Sequence, residues 1–207
     1  MTGKQGRIIL PIVIVLLTAF PGKILSREMV FKSKKLQDGS YALTGTLTLP
    51  VQVKKLSDLL TDFSHYSRWA LKGLDGKDPV SAQHIGIFRD FRYSEDTGTI
   101  ILIYDINMFW PFGAKNREFP LYIVSLQTKD SILQSYTLTF IGSSPTIRSM
   151  FIKISLKSIP EGSRLTIGIT IKYSWIINPL MNEEVFKKSI SGRIEILADN
   201  IRDTVMR

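Results

Sequence analysis

The chain has two histidines, His65 and His84, and no cysteine. Asp62 stands three residues before His65, and on a helix that spacing brings a carboxylate against a ring nitrogen as an acid–base dyad. Ser64 and Ser67 lie beside the pair, but no nucleophile with a matching partner is visible. Each histidine therefore reads first as a solvent-exposed or capping residue. No second His lies near either one, and no HExxH-like spacing occurs, so the sequence implies no metal and no cofactor. Without cysteine, disulfide scaffolds and thiolate metal sites are excluded. Gly142-Ser143-Ser144-Pro145 lacks both the spacing and the lysine of a phosphate-binding loop.

Arg117-Glu118 is the other pair able to do chemistry. A guanidinium in or near a cavity could hold a polar ligand group by charge-assisted hydrogen bonds. The competing reading is an ion pair that ties a loop to a sheet. Tyr104 and Asp105, with the two histidines, complete the set of candidate acids and bases. Around them lie Phe109, Trp110, Phe112 and Phe119, aromatic residues without helical or strand periodicity. Such residues serve as a cavity lid, as a membrane-facing tip or as core.

The elements that must position these residues follow from periodicity. Residues 40–49 alternate, with Tyr41, Leu43, Leu47 and Leu49 on one face and threonines on the other, as a half-buried strand ended by Pro50. Val53, Leu56, Leu59, Leu60 and Phe63 then follow helical spacing, and Tyr66 and Trp69 extend it into a second short helix that stops at Gly73. Six strands are expected at about 81–92, 98–107, 117–128, 131–141, 150–159 and 163–176, separated by turn residues. In the last, Leu165, Ile167, Ile169, Ile171, Tyr173 and Trp175 share the inward face. A long amphipathic helix closes the chain from Asn178-Pro179 onward, with Phe186, Ile190, Ile194 and Leu197 on its apolar stripe and Lys187, Lys188, Arg193 and Arg202 on other faces. Seven antiparallel strands and one such helix make an α+β protein, a curved sheet around the helix in the order β-α-α-β6-α, and the gap between them is where a hydrophobic ligand would lie.

This order is similar to the helix-grip fold of START-like domains, the superfamily that includes lipid-transfer proteins, the birch-pollen-allergen group and polyketide cyclases. The segment from Trp110-Pro111 to Arg117-Glu118-Phe119 resembles the proline, Arg-acid pair and apolar run that open a strand in that family, with Glu118 where Asp is usual. Leu59-Leu60-Thr61-Asp62-Phe63 through Trp69 resembles its first helix and aromatic turn. The resemblance spans residues 40–206 and implies a hydrophobic ligand, a lipid above all, held between sheet and helix. The expected cavity residues are Trp69, Tyr104, Trp110, Phe112, Arg117, Tyr122, Tyr173, Trp175, Phe186, Ile190 and Ile194, with no catalytic residue assigned. The alternatives are a cyclase or dehydratase on the same fold, and a structural envelope protein with a collapsed cavity.

Residues 1–26 read as an export signal: Lys4 and Arg7 precede the apolar run Ile8–Phe20, and Pro21-Gly22 break it. The run is short for a bilayer span, which takes about 20 residues, so an uncleaved N-terminal anchor is the alternative. Residues 27–39 read as a charged linker and 40–207 as the ligand-binding domain, placed in the periplasm or cell envelope. Of 207 residues, 44% are hydrophobic and 22% charged, enough apolar surface for a packed core. Lys and Arg number 27 against 18 Asp and Glu, a formal charge of +9, and Lys4, Arg7 and Lys23 belong to the leader and its flank. The remaining excess looks dispersed apart from 32–35 and 187–188. A transient anionic membrane surface is then the expected partner beside the hydrophobic ligand, and nucleic acid is not expected.

Overall fold

The computed structural model describes residues 29–75, 86–106, 113–140, 144, 146–175 and 177–207. The proposed leader, Trp110, Phe112 and His84 fall outside the described residues.

Eight strands form one antiparallel sheet in the order β1-β2-β8-β7-β6-β5-β4-β3. They are β1 (Val30–Lys35), β2 (Tyr41–Leu49), β3 (Gly86–Ser94), β4 (Thr99–Ile106), β5 (Ala114–Lys129), β6 (Ile132–Phe140), β7 (Ile147–Ile159) and β8 (Gly162–Tyr173). Helix α1 (Val53–Thr61) and a 3-10 helix (Phe63–Arg68) follow β2, and α2 (Glu183–Val205) follows β8. The described helices include none long and apolar enough to cross a membrane.

The strand count corrects the expected seven. The extra strand, β1, falls inside the stretch read as a linker, where Val30 points outward with Lys32 and Lys34 and Phe31 is the one apolar residue on the inward face, beside Ser33 and Lys35. An edge strand needs just one buried face, and outward lysines guard the other against further pairing. Phe31 occupies the space over Gly45, where a Cβ would lie 2.7 Å from its ring. The β7–β8 turn depends on Gly162 at φ +133°, where a Cβ would run into the Leu49 carbonyl.

Register fixes which residues share the inner face, the one that carries the helices. One cross-strand row runs Tyr41–Ile171–Met150–Phe140–Leu121 and the next runs Leu43–Ile169–Ile152–Leu138–Ile123. Helix α2 starts later than Asn178-Pro179 suggested. Those residues make a 3-10 turn, and Asn182 caps the helix by accepting the Val185 amide at 2.9 Å, with Glu183 and Glu184 in the first turn. At 1.5 Å per residue α2 is about 34 Å long. Its buried stripe is Phe186, Ile194, Ala198, Asn200, Ile201 and Val205. Asn200 ties the C-terminal half down by donating to the Lys72 carbonyl at 2.8 Å. At the other end the Tyr41 hydroxyl donates to the Met181 carbonyl at 2.7 Å.

Candidate ligand-binding site

The row Leu43–Ile169–Ile152–Leu138 crosses the middle of the inner face. Leu43 and Leu138 are buried, but Ile169 and Ile152 remain partly accessible to solvent. Along β8, Ile167 and Ile171, on either side of Ile169, are 1% and 3% exposed. Solvent thus reaches the centre of an apolar face from the helix side. Leu102, Tyr104, Ile123, Tyr173, Ile190 and Leu197 are likewise only partly buried against the core.

An aromatic wall covers the β3–β6 half. Phe63 packs at 5.3 Å on Tyr93 and at 5.4 Å on Tyr136, and Tyr66 at 5.1 Å on Phe91 and 4.8 Å on Trp69. The Tyr66 hydroxyl donates to the Leu60 carbonyl at 2.6 Å and lies 3.0 Å from that of Tyr136. Burial raises both phenols above their ordinary range, so they stay neutral. Trp69 is buried in this wall and its Nε1 has no hydrogen-bond partner among the described residues.

Two polar groups border the apolar face. Arg193 projects from α2 to within 5.7 Å of the Phe88 ring, and Tyr173 lies close enough to interact with its charge. Burial lowers the guanidinium below its usual range, and Tyr173 opposes that shift. Tyr173 is itself raised, by burial. Helical spacing predicts Arg193 on another face of the helix; its approach to the Phe88 ring places it inward. A charged residue one position before a buried isoleucine gave no sign of this, because a long side chain can snorkel to either side of a helix stripe. The second group is Tyr104 on β4, opposite Arg117 on β5. Burial raises the Tyr104 phenol, while a Ser144 hydrogen bond and the Arg117 charge lower it.

The expected cavity residues divide accordingly. Trp69, Tyr104, Tyr173, Phe186, Ile190 and Ile194 belong to the inner face or the helix surface against it. Arg117 alternates inward with Phe119 but is exposed, so it stands at the rim. Tyr122 pairs with Thr99 and Thr139, out of phase with the buried Leu121, and lies on the outer face. Trp175 is 83% exposed. Strand β8 ends at Tyr173 and the chain turns at Ser174, whose carbonyl accepts the Ile177 and Asn178 amides, so the alternation does not extend to Trp175.

The candidate acids and bases disperse. Arg117 and Glu118, being adjacent in a strand, point to opposite faces, and Glu118 meets Arg92 at 3.9 Å on the outer one. Asp62 and His65 form the expected dyad at 2.7 Å, but both are close to half exposed, and Ser64 donates to Asp62 rather than to the imidazole. No Ser–His relay exists there. His65 and Ser64 together hold the Asp62 carboxyl below its ordinary value.

Asp105 is committed to structure. It accepts the Asn116 amide at 2.9 Å and meets Arg89 at 2.8 Å and Lys115 at 3.3 Å. Asn116 adopts φ +48° beside a register shift to present that amide. These partners, the amide first, hold the Asp105 carboxyl below its ordinary value although burial opposes them. A carboxyl lowered on folding stabilises the native state above its unfolded value, near 3.9, and that contribution is lost as pH falls through the lower folded value. Asp105→Asn is therefore expected to cost about 1–3 kcal/mol at neutral pH in urea melts, and the difference from wild type should shrink below about pH 4.

No group of three or more potential metal ligands occurs among the described residues. No protein-family model matches the chain, and no curated protein matches it. Solved structures do. A conserved protein from Geobacillus kaustophilus superposes with a TM-score of 0.55 at 12% identity, covering 79% of this chain and 93% of its own. The Zhui aromatase/cyclase from Streptomyces sp. R1128 gives 0.53 at 8% identity, over 86% of this chain and 94% of its own. A START superfamily protein from Mycobacterium smegmatis gives 0.50 at 11% identity, over 86% and 97%. The chain has the START-like helix-grip fold. That fold carries both START proteins and aromatase/cyclases, and at these identities the likeness extends to the fold alone.

Proposed function

We propose that the protein binds a hydrophobic ligand, a lipid or lipid-like molecule, between the sheet and α2. The observation that carries this is the partial solvent access of Ile152 and Ile169 at the centre of the apolar face, between the buried Leu43, Ile167, Ile171 and Leu138. Affinity comes from apolar burial at roughly 25 cal/mol per Å², and Tyr104, Arg117, Tyr173 and Arg193 supply polar groups at the borders to orient the molecule. The mechanism is sequestration, with no bond made or broken. We further take residues 1–26 as an export signal, which places the carrier in the periplasm or cell envelope.

Native mass spectrometry after mild purification, together with uptake of a fluorescent fatty acid, tests the ligand. Co-purified lipid or saturable uptake is the expected result. Neither lipid nor uptake in the folded protein would overturn the reading. The cyclase-type alternative draws on Tyr104, a neutral phenol on the inner face able to donate a proton; Asp105 is ion-paired on the other face and His65 is on the surface.

A further inference from the structure

The dispersed positive charge of the sequence is gathered by the fold. Strands β1, β2, β8, β7 and β6 are contiguous in the sheet, and none of them contains Asp or Glu. Their outward positions carry Lys32, Lys34, Lys153, Lys157, Arg164 and Lys172, out of phase with the buried inner residues. Of these, Lys172 meets Asp38 at 3.4 Å, and the other five make no ion pair among the described residues. The other half of the sheet is different: Asp90, Asp105 and Glu118 each pair with Arg89, Arg92 or Lys115.

The layout is two-dimensional. One outer row runs Lys32–Thr44–Gly168–Lys153 and the next runs Lys34–Ala42–Thr170–Phe151. With strands about 4.8 Å apart, Lys32 and Lys153 are separated by roughly 14 Å, and Lys153 and Lys157 by about 13 Å along β7. Only small side chains lie between them. Phe151, 50% exposed, stands in their midst.

We propose that this outer face docks the protein on an anionic phospholipid surface. Unpaired cations spread over a patch, rather than strung along a groove, match a layer of headgroups, and a lone protruding aromatic can enter the interface between them. The opposite face of the same sheet keeps the ligand site, so docking and ligand binding do not compete for residues.

Full-length protein incubated with vesicles of phosphatidylcholine, alone or with about one-third phosphatidylglycerol, tests this by co-sedimentation. The leader carries Lys4, Arg7 and Lys23 and is common to wild type and every variant, so the readout is how far each variant changes the anionic-to-neutral ratio. Wild type should favour anionic vesicles by more than about tenfold at low salt and lose the preference near 0.5 M salt. K32Q/K34Q and K153Q/K157Q should each cut that preference by about tenfold or more, at roughly fivefold per lysine. F151S should lower binding to anionic vesicles by about fivefold with the salt dependence retained. K54Q/K187Q removes as much charge from the helices and should leave the preference intact. Absence of any preference, or an equal loss in the helix variant, would overturn the proposal. So would duplex DNA binding that shares the lysine dependence while F151S has no effect on vesicles. Unchanged circular dichroism of the variants establishes that each is folded.

Discussion

Phe186→Ala should lower stability by about 3–5 kcal/mol, the range for deleting a fully buried aromatic side chain. Phe186 is 0% exposed, with its ring 5.4 Å from Tyr41 and 6.4 Å from Tyr173. It lies at the start of α2, four residues after the Asn182 cap. Tyr41 joins the same cluster and its hydroxyl donates to the Met181 carbonyl, so one site anchors the start of the helix to the neighbouring strands β2 and β8. The cavity left by alanine cannot collapse easily, because backbone on both sides is tied by the sheet and by the cap. Urea denaturation followed by circular dichroism measures the effect. A loss below about 1 kcal/mol would mean that the helix start is not seated as described.

Ile169→Trp and Ile152→Trp, made singly, should reduce fatty-acid uptake by more than about tenfold, equivalent to 1.4 kcal/mol of binding free energy, with little loss of stability. The reasoning is volumetric. Extra bulk forced into a filled core costs about 1–3 kcal/mol, whereas bulk placed in a gap displaces only solvent or ligand. The two readouts together separate the competing readings. Reduced uptake at near-unchanged urea midpoint supports a ligand gap at the centre of the inner face. Strong destabilisation by both variants would show that side chains already fill the space, as a structural protein with a collapsed cavity requires.

Much of the fold was legible because the segments are strongly periodic. The alternation in β2 and β8 and the threefold and fourfold steps in α2 state which residues are buried, and the structure agrees for Tyr41, Leu165, Ile167, Ile171, Phe186 and Ile194. Strand β1 was hidden because an edge strand with one inward aromatic has too few apolar positions to show a period. Trp175 misled for the opposite reason: an alternation that runs past its strand still looks like a strand. Tyr122 followed an aromatic signal where parity decided the face.

For the site, the sequence indicated the material and not its arrangement. The Asp62–His65 dyad was readable, since three residues on one turn settle a contact locally. That Ser64 turns its hydroxyl to Asp62, and that Asp105 is claimed by Asn116, Arg89 and Lys115, are outcomes of packing between elements. The inward aim of Arg193 towards Phe88 and Tyr173 is of the same kind.

Local periodicity determined the element order, the apolar stripe of α2 and hence the need for a sheet face to bury it, because those depend on spacings within one segment. Charge is the clearest contrast. By count alone the chain was basic and its lysines looked scattered. Only strand order and register, which bring residues as distant as Lys32 and Lys153 into one row, decided that five strands present an outer face free of acidic residues while the acids of the other three are paired. The physical reason is that an electrostatic surface is a sum over neighbours in space, and in an antiparallel sheet those neighbours come from distant parts of the chain.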